Sequence, residues 1–149
     1  MIVPTFQDIL QAQRTIAPYL KPTPIYQYPT LSEVLGTEIW VKHENHLPTR
    51  AFKVRGGVNF MAHFHTNNNN TGVITASTGN HGQSVAYAAH LFNVPAIVAM
   101  PNGANEAKVK ATQNLGAAWE FWVHQDHTIH FQYLYKFHPH SIPHQHLHQ

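Results

Sequence analysis

Two stretches of this chain hold the residues best suited to chemistry. In Pro48-Thr49-Arg50-Ala51-Phe52-Lys53-Val54-Arg55-Gly56-Gly57, one lysine stands at the mouth of an expected helix, between an extended segment and a glycine pair. A lysine is nucleophilic only as the free amine, so it must be desolvated or lie close to another cation. Phe52 and Val54 are apolar neighbours that would desolvate Lys53, and Arg55 is a cation that would lower its pKa by repulsion. The same residues also fit a surface lysine whose stem snorkels along apolar neighbours. Local sequence leaves both readings open.

The second stretch is Ser77-Thr78-Gly79-Asn80-His81-Gly82-Gln83. It follows a short apolar run and precedes a helical pattern, so its backbone N–H groups would face an anion at a helix start. Gly79 and Gly82 would let a ligand approach the backbone, and Ser77, Thr78 and Asn80 would add side-chain donors. The plain alternative is a strand-to-helix turn with a Ser/Thr/Asn cap. Neither Gly-x-Gly-x-x-Gly nor Gly-Lys-Ser/Thr is present, so this is not a dinucleotide fingerprint or a P-loop.

Several elements are expected to position these stretches. Thr5 with Asp8 marks a helix start, after which Phe6, Ile9, Leu10 and Ala17 fall near one face, before Pro18 or Pro22. Pro22-Thr23-Pro24 forces an extended path, and Ile25-Tyr26 reads as a strand. Thr30 and Glu33 form a capping box for a short helix closed by Gly36, and Glu38–Lys42 alternates as a strand. Val54, Val58, Met61 and Ala62 repeat at helical spacing and read as core. Beyond the polar loop Asn67–Asn70, strands are expected at Gly72–Ala76, Val94–Met100 and Ala118–Trp122. Helices lie between them: one from near His81 with Val85, Ala86, Ala89 and Phe92, the other capped by Asn105 and stopped by Gly116. Alternating strands and helices with short loops predict an α/β fold, a parallel sheet with flanking helices.

The chain has 149 residues, 43% hydrophobic and 11% charged, enough for one domain with a core. A net charge of +2 is too small to imply nucleic acid or a membrane surface. With no cysteine there is no thiolate nucleophile or disulfide framework. No signal peptide is visible, so Asn69-Asn70-Thr71 gets no weight as a glycosylation site and a cytoplasmic protein is the expectation. The character changes from Val123. Of fourteen histidines, eight follow it: His124, His127, His130, His138, His140, His144, His146 and His148. This 123–149 tail lacks either regular period and reads as a segment without a packed fold. Its imidazoles could attract zinc, copper or nickel, but alternating histidines on an unpatterned segment lack the supporting shell of a metal site. No metal site is expected there. His43, His46 and His81 are acid–base candidates by type, although an isolated histidine is usually structural.

Lys42 through Gly57, read with Ser77 through Gln83, resembles the cofactor-lysine motif and the substrate loop of the threonine/serine dehydratases. These are pyridoxal 5'-phosphate enzymes of the tryptophan-synthase-β-like fold, serine racemase among their relatives, and the resemblance spans residues 5–122. It implies Lys53 as the Schiff-base lysine, with Phe52 packing beside the cofactor and Asn80 binding its phenolic oxygen. Ser77, Thr78, Gly79, Asn80 and His81 would line the substrate carboxylate site. The implied activity is dehydration and deamination of L-threonine or L-serine to a 2-oxo acid and ammonia, by a homodimer. Thr78 stands where racemases need a serine, which favours the dehydratase. Arg50 replaces the family's usual glycine, where a bulky residue would be strained. The family's glycine-rich phosphate cradle and the group facing the pyridine nitrogen have no counterpart here, so a fragment with weak cofactor retention is expected. The abrupt change at Val123 is what a frameshift would produce, with the rest of the dehydratase in another frame of the adjacent DNA. A catalytically inactive α/β remnant and racemase-type activity are the alternatives.

Overall fold

A computed structural model describes residues 3–67, 71–101, 103–122 and 135–137. Asn67, expected to open a loop, ends a helix instead, while residues 68–70 and nearly all of the 123–149 tail fall outside the described residues. The chain divides into two compact units, residues 1–52 and 53–149.

In the first unit, α1 (Phe6–Ile16) begins at a complete capping box, with the Thr5 hydroxyl accepting from the Asp8 N–H and Asp8 accepting from Thr5. β1 (Ile25–Gln27) and β2 (Trp40–Lys42) pair antiparallel, Tyr26 opposite Val41. Between them lies α2 (Pro29–Leu35), closed by Gly36 at φ +66°. The capping box expected from Thr30 and Glu33 does not form. Pro29 occupies the first turn, where its missing N–H is no loss, so the helix starts earlier and Thr30 is already inside it. The expected apolar face of α1 also differs from a core stripe: Phe6 is 72% and Ile9 58% exposed. Buried apolar side chains in this unit are Leu20, Leu47 and Ala51.

Arg50 closes a turn through its N–H to the Leu47 carbonyl (2.8 Å) and has φ +53°. That is the left-handed region, where a Cβ crowds the following carbonyl and costs about 1–2 kcal/mol. A glycine at this position would be free of that cost, offset partly by its greater unfolded-state freedom. Arg50→Gly is therefore expected to raise unfolding stability by roughly 0.5 kcal/mol in a urea titration. A loss of stability would contradict the strain.

The second unit holds the main core. It runs α3 (Lys53–Asn67), β3 (Gly72–Ala76), α4 (Asn80–Leu91), β4 (Ala96–Pro101), α5 (Glu106–Asn114) and β5 (Ala118–Trp122), followed by β6 (Tyr135–Phe137). The sheet order is β5-β4-β3-β6. β5, β4 and β3 are parallel, as the alternating pattern predicts, while β6 joins the β3 edge antiparallel. Val73, Thr75, Val98 and Met100 of the sheet and Val85, Ala86, Ala88 and Ala89 of α4 are all buried. On α3, Val54, Val58 and Met61 are fully buried, as their spacing predicts, but Ala62 is only half-buried and Phe64 takes the next inward position. Asn105 caps α5 by accepting from the Ala107 and Lys108 N–H groups, and Gly116 follows it at φ +88°.

Candidate functional site

Helical spacing turns Val54 into the core, which leaves its neighbour Lys53 exposed on the first turn of α3. Val54 therefore cannot wall Lys53 off from water, and of the two readings the local sequence left open, the exposed lysine is the one observed. Phe52, which ends the first unit, is 63% exposed.

Two contacts of α3 with α4 fix where Lys53 stands. The Ser84 hydroxyl donates to the Lys53 carbonyl at 2.7 Å. One turn further along α3, Gly57 passes directly over Ser84: a Cβ at Gly57 would collide with Ser84 Oγ and lie 2.8 Å from the Ser84 carbonyl oxygen. The absent side chain lets the two helix backbones approach closely. The sequence reading named Gly57 only as half of a glycine pair, without this packing role, and missed Ser84. The signal available was a glycine at i+4 from the lysine, on the helix face that must pack.

The Ser77–Gln83 stretch is the β3-to-α4 connection, at the carboxyl end of a parallel strand. The Ser77 N–H continues the sheet to the Ala99 carbonyl (3.1 Å). Ser77 Oγ accepts from the Gly82 N–H (3.0 Å) and the Gly79 N–H (3.3 Å), so it supports the helix start and keeps one hydroxyl proton to donate. The N–H groups of Thr78, Asn80 and His81 have no acceptor among the described residues. The side chains of Thr78 and Asn80 are exposed. Gly79 has nothing within 4 Å of a built Cβ, which is open space for a ligand. Gly82 differs from the expectation. Its Cβ position is filled by Val98 Cγ1 at 3.0 Å and the Ser77 carbonyl at 3.1 Å, so this glycine serves close packing of α4 on β4.

His81 is half-buried, and its Nε2 is buried without a hydrogen-bond partner among the described residues. Burial first, and the charge of Lys53 second, hold its pKa below the ordinary 6.5. The structure thus brings Lys53 and His81 into electrostatic reach, one from each helix. Unfolded His81 takes up its proton near pH 6.5, whereas the folded form takes it only at lower pH. The unfolded state then binds more protons, so stability falls as pH drops below that value. His81→Gln is expected to flatten that slope in urea unfolding measured from pH 7.5 downward. Unchanged slopes would contradict the shift.

His43 belongs to a separate cluster in the first unit, where its Nε2 meets the Tyr28 hydroxyl at 2.8 Å and its ring lies 5.8 Å from that of His46. Among the described residues no group of three His, Asp or Glu side chains is placed to hold a metal, and no helix is long and apolar enough to cross a membrane.

This arrangement can present a primary amine within electrostatic reach of an imidazole of lowered pKa and near a helix start with free donors. It suits a ligand with one carbonyl-type electrophile and one anionic group. The family model "Pyridoxal-phosphate dependent enzyme" matches residues 16–134. An L-threonine ammonia-lyase of Thermotoga maritima is 44% identical over 76% of this chain and 28% of its own length. An L-threo-3-hydroxyaspartate ammonia-lyase of Saccharomyces cerevisiae is 42% identical over 78% of this chain and 36% of its own. Among solved structures, serine racemase from Dictyostelium discoideum superposes with a TM-score of 0.71 at 33% identity, over 78% of this chain and 38% of that one. The chain spans about a third of the length of the relatives it matches.

Proposed function

Because this chain belongs to the pyridoxal-phosphate dependent enzymes, we propose that Lys53 and the Ser77–Gln83 loop serve the elimination of water from L-threonine or L-serine, releasing a 2-oxo acid and ammonia. The observation that carries this reading is the meeting of α3 and α4, which sets Lys53 within electrostatic reach of His81 at an open helix start. The residues present fit the cofactor: an exposed primary amine for its aldehyde, and the exposed side chain of Asn80 for its phenolic oxygen. When bound, pyridoxal phosphate supplies a ring that accepts the electrons left as the substrate Cα proton departs. Lys53 would hold the cofactor through its aldehyde and, once the substrate's amine has displaced it, would be the free amine placed to take up that proton. The free N–H groups of Thr78, Asn80 and His81, with the Ser77 hydroxyl proton, bind the substrate carboxylate. By the family resemblance, Thr78 stands where a racemase has a serine acid/base. That favours elimination over racemisation.

The hydroxyaspartate ammonia-lyase relative supports a second substrate, 3-hydroxyaspartate, for the same elimination. The test supplies the purified chain with pyridoxal phosphate and, separately, L-serine, L-threonine and L-threo-3-hydroxyaspartate. Ammonia and 2-oxo acid are expected from serine or threonine. Turnover of hydroxyaspartate alone would move the assignment to the second substrate, and D-serine without ammonia would make it a racemase. No product from any of them would leave an inactive remnant.

A further inference from the structure

We infer that Ser84 and Gly57 form a positioning pair that sets the Lys53 amine against the Ser77–Gln83 loop. The inference rests on Lys53 being the cofactor lysine and assigns a role to two residues that the proposed chemistry does not use.

Lys53 is the first residue of α3, and helix ends fray because their first turn lacks the full ladder of hydrogen bonds. An exposed side chain on a fraying turn would sample many positions. Here the Lys53 carbonyl, already the ladder acceptor for the Gly57 N–H, also accepts the Ser84 hydroxyl at 2.7 Å. Ser84 is 1% exposed, so this bond is shielded from water. It joins residues 31 apart in sequence, and Ser84 sits one turn beyond His81 on α4. The Ser84 hydroxyl is reached only because Gly57 lacks a side chain that would hold the helices apart. The pair thus ties the start of α3 to the first turns of α4, where the loop's free N–H groups lie. Ser84→Ala removes the tie while leaving the helix crossing open.

The full-length chain and its Ser84→Ala and Val85→Ala variants would be titrated with pyridoxal phosphate, following the lysine-dependent absorbance band. In parallel, amide hydrogen exchange would be read across the first turn of α3. Val85 is fully buried beside Ser84, and its truncation serves as a purely structural control. Ser84→Ala is expected to weaken pyridoxal phosphate binding roughly fivefold or more, the size of one buried hydrogen bond, and to speed exchange at Gly57 and Val58. Val85→Ala is expected to lower the unfolding midpoint at least as much, while shifting the dissociation constant less than about twofold. Ser84→Ala with wild-type affinity and unchanged exchange would overturn the inference, even with the Lys53-dependent band intact. So would equal loss of affinity in Val85→Ala, which would show general destabilisation instead. If the wild-type chain forms no band, the cofactor assignment fails. Unchanged exchange at the first turn of α3 would then refute the tie separately.

Discussion

Lys53→Ala is expected to abolish covalent capture of pyridoxal phosphate: the absorbance band disappears, and borohydride leaves no pyridoxyl group on the peptide that spans Arg50 to Arg55. In the wild-type chain the same reduction should label Lys53. The reason lies in placement. Lys53 stands exposed within electrostatic reach of His81, whereas Lys42 gives its ammonium to the Thr23 carbonyl at 3.1 Å and lies 4.0 Å from Glu44. Ammonia release, where the wild-type chain shows it, should fall by about 10²–10⁴-fold or more, because the variant loses the proton acceptor as well as the tether. The fold should not change with it. The Lys53 side chain is exposed, and a substitution there moves stability by about 0.5 kcal/mol at most. A band that survives in a folded Lys53→Ala chain would transfer the role to another lysine.

Gly57→Ala and Gly56→Ala are expected to act in opposite directions, although the two glycines are adjacent. A methyl group at Gly57 meets Ser84 Oγ and, at 2.8 Å, the Ser84 carbonyl oxygen. The hydroxyl can rotate away, but the carbonyl is backbone within a buried helix, so α3 and α4 must separate. Such overpacking costs about 1–3 kcal/mol, and it also breaks the bond from Ser84 to Lys53. At Gly56 nothing lies within 4 Å of the added carbon. There, alanine only reduces unfolded-chain freedom, which should stabilise by about 0.5–1 kcal/mol. Urea midpoints of the two variants would read both effects. Midpoints that move together would show that α3 does not cross α4 at Gly57.

Much of the fold was legible locally. The bounds of β3 and β5 agree with the reading from sequence because each is a short run dominated by apolar side chains. The Thr5 box, the Asn105 cap and the stop at Gly116 depend on partners within four residues, so sequence spacing alone expresses them. The Thr30–Glu33 box failed because a nearby Pro29 competes for the same helix start and lacks an N–H to satisfy. β6 left no trace in the side-chain pattern, since pairing at a sheet edge requires only backbone N–H and C=O groups.

The site divides in the same way. Residue types and spacing determined that Lys53 opens a helix and that Ser77–Gln83 joins a strand to the next helix, because both follow from local backbone chemistry. Only the tertiary structure decided what each does there. Gly79 is open while Gly82 is filled by Val98 from another strand, and Val54 turns inward while Lys53 stays in water. The pKa of His81 is lowered by burial and by a lysine from a different helix. Each depends on atoms far apart in sequence that meet where Gly57 crosses Ser84, and no local pattern encodes the distance between two helices.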